Sequence, residues 1–319
     1  MSLRKIIRAI RKHKTFFISS HVNPDTDALT SMLALSLALK KMGKKVKAVH
    51  GQPVPKMYRF LSGSHLIEPY RGKDIEYDAA IILDCGSSDR IGRPAQALKR
   101  GKPLINIDHH ITSDYFGSIN LVDAKASSTA ELVFNLLKKM GFKINKQIAE
   151  LLYLGIMTDT GSFRYDNTTA RTHIIVSELL KYRLSVNKLY SRVYENIPLH
   201  DLGLFIKIMN RMEISHRARA ASLVLNKKEL KRISGQFDIK EKIFNLLRSI
   251  RGIEAVMIFT EIQKNLTRVN FRSQNKVDVA RLALAFGGGG HRKASGCVLK
   301  QNTALAKKTI HRALAKILK

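Results

Sequence analysis

Four short apolar runs recur through the first third of the chain, at residues 16–20, 46–50, 79–83 and 103–107. Runs of this length, bounded by polar residues and glycine, read as buried strands. After the first comes Ala28–Met42, apolar nearly all round and long enough for a buried helix. The alternation over residues 15 to about 125 predicts an α/β domain: a mainly parallel sheet with helices on both faces. Ser127–Met140 and Lys146–Met157 read as helices broken at Gly141, and residues 172–212 as helical with an interruption at Pro198. Strand-like 221–225 follows, then a helix near 239–251 and strands near 254–262 and 266–272. A short helix, the glycine run 287–290 and an amphipathic helix over 304–318 close the chain. This divides it into a first domain over 1–185, a helical connector over 186–212 and a smaller α/β domain over 213–319. Near the start, Ile6, Ile7 and Ile10 mark the inner face of a surface helix.

Length agrees with two domains, since 319 residues exceed one typical domain, and an apolar content of 45% supports real cores. The residues before Phe16 are basic and lack the apolar run of a signal peptide. No stretch reads as a membrane span, so a cytoplasmic protein is expected. Cys85 and Cys297 are the only cysteines; they provide neither a disulfide framework nor zinc-ligand spacing, and each reads as a small buried hydrophobe. The net charge of +31 draws phosphate-bearing ligands. Its basic residues are spread along the whole chain, so a solvated surface competes with a nucleic-acid track. Nine Tyr, thirteen Phe and no Trp argue against an extensive base-stacking platform.

Candidate chemistry collects where strands end. His21, Asp25 and Asp27 follow the first run, Asp84 closes the third, and Asp108-His109-His110 follows the fourth. Ligands of parallel sheets sit beyond those carboxyl ends. Asp159 ends the apolar segment 151–157 where a glycine loop begins. Together these clusters supply enough carboxylate oxygen and imidazole nitrogen for two divalent metals. Taken singly each has an ordinary reading: Asp27 as the N-cap of the following helix, Asp108-His109-His110 as a solvated turn, Asp84 as one of the many aspartates that end parallel strands, and Asp159 as a carboxylate in a solvent-exposed loop. In the second domain Gly287–Gly290 with His291, Arg292 and Lys293 offers a backbone that an anion can approach closely. Arg272 at a strand end is a second candidate phosphate clamp. A linker and a solvated charge are the plainer alternatives.

The order His21-x-x-x-Asp25-x-Asp27, Asp84, Asp108-His109-His110, Asp159 and the glycine-rich His291 segment resembles the DHH phosphoesterase superfamily with its DHH-associated C-terminal domain. The compact length is most similar to the branch of nanoRNases (oligoribonucleases) and pAp (3′-phosphoadenosine-5′-phosphate) phosphatases. The resemblance implies His21 and Asp25 on one Mn2+ and Asp27, His109 and Asp159 on a second, with Asp84 bridging. It makes Asp108 a supporting carboxylate and His110 a contact to the scissile phosphate. Arg272 and His291 would hold the other end of the substrate, with Gly288, Gly289 and Gly290 supplying backbone donors. The chain departs from many relatives in carrying Thr26 and Thr30 where they have glycine. Its Asn23-Pro24-Asp25-Thr26-Asp27 is closer to manganese-dependent pyrophosphatases of the same superfamily, whereas the His291 segment favours nucleotides.

The implied reaction is hydrolysis of a phosphate ester by water activated between two metals. Implied substrates are short oligonucleotides such as pApA and pGpG, together with pAp, and the second domain would limit their length. A homodimer is left open. Longer single-stranded nucleic acid is the substrate in a competing exonuclease reading of the RecJ type, which expects a longer chain with an added single-strand-binding domain. A nucleotide- or RNA-binding protein with a silent site is the non-enzymatic alternative.

Overall fold

The computed structural model describes residues 2–318, except for the side chain of His291. The chain forms two units, Met1–Arg192 and Val193–Lys319.

The first unit runs α1 (Ser2–Lys12), β1 (Thr15–Ser20), α2 (Thr26–Lys41), β2 (Lys45–His50), β3 (Ile67–Pro69), β4 (Ala79–Leu83), β5 (Leu104–Asp108) and β6 (Ile119–Val122). Helices α3 (Thr129–Lys139), α4 (Lys146–Asp159), α5 (Ala170–Leu180) and α6 (Val186–Tyr194) follow, α6 crossing the division between units. The six strands lie in the order β3-β2-β1-β4-β5-β6, every pair parallel. The order reverses between β1 and β4, and beyond such a switch point parallel sheets keep a crevice.

Alternation of side chains sorts the apolar strand residues onto two faces. Phe17, Ala80 and Ile82 pack with Tyr70, Tyr77, Ile91 and Ala97. The covering helices there are short 3₁₀ turns, Ser88–Ile91 and Arg93–Ala97. Helix α2 is buried almost all round, as expected of a segment with no polar face, and it lies between β1, α3 and α4. Its start differs from the N-cap reading of Asp27. The cap is Asp25, in extended conformation, whose Oδ1 accepts from the Ala28 amide at 3.0 Å. Asp27 is thereby carried inside the first turn and buried.

The second unit comprises α7 (Leu199–Met209), β7 (Glu213–Ser215), β8 (Ala220–Leu225), α8 (Lys227–Arg232), α9 (Ile239–Arg248), β9 (Ala255–Gln263) and β10 (Leu266–Ser273). It ends with α10 (Val279–Leu284), β11 (Gly289–His291), β12 (Ala294–Leu299) and α11 (Thr303–Ile317). Its sheet runs β11-β12-β10-β9-β8-β7, antiparallel except for β8 with β9. One core gathers Met257, Phe259 and Phe271 with Ile310 and Leu314 of α11; the other gathers Val256 and Ile258 with Phe205 of α7 and Phe244 of α9. The span expected as a connector, 186–212, is thus divided: α7 contributes to the second unit's core, and most of α6 falls in the first unit. No helix among the described residues is long and apolar enough to cross a membrane.

Candidate metal centre

Strand register sets the site. Ser20 pairs with Leu83 and Leu83 with Ile107, so the next residues, His21, Asp84 and Asp108, leave three neighbouring strands side by side. Asp84 turns there with φ of 54°, a left-handed conformation that an L residue adopts at a cost and that is found at functional turns. His21 Nδ1 lies 2.7 Å from the carbonyl of Val22, which places the proton on Nδ1 and directs Nε2 to Asp84 Oδ2 at 3.5 Å. A second buried imidazole supports this turn. The Gln52 amide donates to His50 Nδ1 at 3.2 Å, which leaves His50 Nε2 to donate to the His21 carbonyl at 3.1 Å.

Asp27 is held by the beginning of α3. Its Oδ2 accepts from the Thr129 amide at 2.7 Å and its Oδ1 from the Ala130 amide at 3.0 Å, with Ser31 Oγ at 3.3 Å. These are amides that a helix leaves without an internal partner, at its electropositive end. Thr129 Oγ1 also donates to Asp84 Oδ1 at 2.9 Å, tying two carboxylates through one residue. Sequence reasoning did not single out Thr129. Ser127-Ser128-Thr129 ahead of an apolar helix is a cap signature, and a cap normally serves its own helix. Ser128 does so, accepting from the Glu131 amide, while the remaining amides serve Asp27.

Three groups of ligand atoms result, each group mutually within 4.8 Å: His21, Asp25 and Asp84; Asp27, His109 and Asp159; Asp84, His109 and His110. His109 Nε2 lies 3.6 Å from Asp84 Oδ1 and 3.4 Å from Asp159 Oδ2. His110 Nδ1 is 2.6 Å from Asp108 Oδ1, and Asp108 Oδ2 is buried with no hydrogen-bond partner. The electrostatics demand positive charge. Burial, then the neighbouring carboxylates, push Asp27 and Asp159 well above the usual carboxylate range. Burial alone would raise Asp84 too, but the His21 hydrogen bond and the charges of His110 and His109 outweigh it and hold Asp84 low. Burial works against a charged His21, yet the Asp84 hydrogen bond and the charges of Asp25 and Asp84 raise it to about 9. Carboxylates crowded in this way are stable together when cations stand between them. Hard oxygen donors with imidazole nitrogen suit divalent first-row metals, so the residues fit two such ions.

The other expected contacts belong to the second unit. Arg272 ends β10 with its guanidinium 4.9 Å over the Phe244 ring and Nη2 3.4 Å from Glu241 Oε2, so part of its charge is already offset. Half of the glycine run, Gly289 and Gly290, belongs to β11, which pairs with β12 at the sheet edge, while Gly287 and Gly288 lead into it. A Cβ on Gly288 would meet the Gly296 carbonyl at 2.2 Å, and one on Gly290, whose φ is 136°, the Ala294 carbonyl at 2.6 Å. Those two glycines therefore allow strand contact. The Gly288 amide is committed to the Ala283 carbonyl at 2.9 Å, whereas a Cβ on Gly289 would meet nothing within 4 Å. The expected role of the His291 side chain lies outside the described residues.

Comparison with known proteins agrees with this architecture. Residues 15–156 match the N-terminal domain of the DHH family, and residues 221–319 match the DHHA1 domain. A Bacillus subtilis protein named bifunctional oligoribonuclease and PAP phosphatase NrnA is 32% identical over 297 residues, 92% of this chain and 91% of its own. A Thermus thermophilus protein of the same name is 31% identical, covering 89% and 84% respectively. The crystal structure of an exopolyphosphatase-related protein from Bacteroides fragilis aligns with a TM-score of 0.89 at 28% identity, over 99% of this chain and 96% of that one.

Proposed function

The chain belongs to the DHH family and is a phosphoesterase; from that premise we propose that it hydrolyses short oligonucleotides to mononucleotides and converts pAp to AMP. The observation that carries the reading is the gathering of Asp25, Asp27, Asp84 and Asp159 with His21, His109 and His110 in three groups that share Asp84 or His109, at the switch point of the sheet. The shared name of the relatives supports the substrate class.

We assign His21 and Asp25 to one Mn2+, Asp27, His109 and Asp159 to the second, and Asp84 to both. Bound there, the ions would supply Lewis acidity towards water and towards the phosphoryl oxygens. The protein's own part is orientation. Asp108 holds His110 Nδ1 at 2.6 Å, so the ring turns its Nε2 to a phosphoryl oxygen and donates as charge develops there. The amides at the start of α3 keep Asp27 from turning away, and Thr129 fixes Asp84. Arg272, already stacked on Phe244, holds a further phosphate, with Gly289 and the His291 segment on β11 of the same sheet, across β12.

The test is Mn2+-dependent turnover of pAp, pApA, pGpG, a five-mer, a twenty-four-mer and pyrophosphate. Preference for pAp and the shortest oligonucleotides is expected. Strong activity on the twenty-four-mer would favour the exonuclease reading, and pyrophosphate alone would overturn the nucleotide assignment.

A further inference from the structure

The loop that leaves β5 directly after His110 carries two large side chains with apolar surface into solvent. Ile111, which follows His110, is 77% exposed, and Tyr115 is 60% exposed. Isolated exposed apolar residues are common, but this loop is anchored to the site. The Asp114 amide donates to the Gly86 carbonyl at 2.9 Å and the Ser113 amide to the His110 carbonyl at 3.2 Å. Gly86 lies against His110: a Cβ there would be 3.6 Å from the histidine Cβ. Beyond Tyr115, Phe116 packs on the core that contains Cys85. The loop is therefore pinned on both sides of Tyr115 to the segment just after Asp84. Tyr115 itself has φ of 55°, strained for an aromatic residue, and such strain persists where surrounding structure enforces it.

A phosphodiester between nucleosides brings an apolar, flat base close to any phosphate that reaches Asp84. We propose that Tyr115 and Ile111 form a ledge on which the nucleobase attached to the scissile phosphate stacks, making Tyr115 a specificity-determining residue for base-bearing substrates. The inference rests on the short-oligonucleotide reading of the site. Stacking on an aromatic face is tolerant of base identity, so the ledge separates substrates with a base from those without one and discriminates little among the four bases.

The experiment compares kcat/KM for pApA and for its abasic counterpart, which keeps the same diester and lacks adenine. It uses wild type, Tyr115→Phe and Tyr115→Asn; asparagine tolerates the left-handed backbone and removes the ring. Wild type and Tyr115→Phe are expected to prefer pApA by at least about fivefold, the lower end of one base–aromatic stack. Tyr115→Asn is expected to lose that preference while keeping wild-type turnover of the abasic diester. A wild type without preference, or a Tyr115→Asn that retains it, overturns the ledge and leaves the oligonucleotide reading standing. A wild type that turns over neither diester overturns that reading itself, and the ledge with it.

Discussion

Replacing Gly155 with alanine adds one methyl group where α4 meets α2 and α3, directly behind Asp27. The new Cβ would stand 2.6 Å from the Ala130 Cβ, 2.7 Å from Asp27 Oδ1 and 2.7 Å from Thr30 Oγ1. Ala130 has no rotamer with which to retreat, so the start of α3 or the Asp27 carboxylate must shift. In a helix interior the same change ordinarily stabilises by about 0.8–1.0 kcal/mol, whereas overpacking a core costs about 1–3 kcal/mol. The net expectation is a loss of about 0–2 kcal/mol in stability. The catalytic effect is larger, because a displacement of about 1 Å in a reacting group can cost about 100-fold. Gly203 in α7 is the control, since a Cβ there meets nothing within 4 Å. Gly203→Ala is expected to gain up to about 1 kcal/mol and keep wild-type turnover. Urea melts and Mn2+-dependent pApA hydrolysis of both variants read the two effects. A Gly155→Ala protein as stable as Gly203→Ala and fully active would refute the argument that α4 must pass Asp27 this closely.

Thr129→Val removes the hydroxyl that donates to Asp84 Oδ1 at nearly unchanged volume; calorimetry is expected to show roughly 10–100-fold weaker Mn2+ binding, the usual effect of losing a group that orients a ligand. Chelation should lower the melting temperature of wild type, since an ion at about 100 times its Kd contributes about 2.7 kcal/mol; Asp84→Ala should narrow that difference. In the second unit, burial, then the charges of His216 and Lys307, depress the pKa of His311, against the pull of Glu213. A depressed folded-state pKa means stability is full above about pH 6.5, the value of free histidine, and falls as pH drops through the folded value. Urea melts at pH 8 and pH 5 should therefore differ more for wild type than for His311→Gln.

The strands that place the site are legible because their hydrophobic runs are continuous: Phe16, Phe17 and Ile18 of β1 and every residue of β4 are buried. Edge strands are not. β6 is only four residues long, all half-buried, with Asn120 interrupting its apolar residues, and β11 is mostly glycine, so neither carries a continuous hydrophobic run. That His21, Asp25, Asp27, Asp84 and His109 gather was visible from their positions after strands, because register in a parallel sheet aligns the strand ends; Asp159 reaches them from the end of α4 instead. The support of Asp27 was not visible, since it comes from backbone amides 102 and 103 residues away and amides leave no mark in sequence. The division between units, after Arg192, lies within the helical span 186–212, but that Phe205 joins α7 to the second core is packing that periodicity alone does not assign.

On the proposed function, Asp84 organises a two-metal phosphoesterase centre for short oligonucleotides. The most direct test is pApA hydrolysis by wild type and Asp84→Asn, matched in shape, each measured with Mn2+ and after chelation. Turnover is expected only from wild type with Mn2+, with Asp84→Asn folded and inactive. Chelator-resistant turnover, or an Asp84→Asn enzyme that keeps most of its activity, would contradict that assignment.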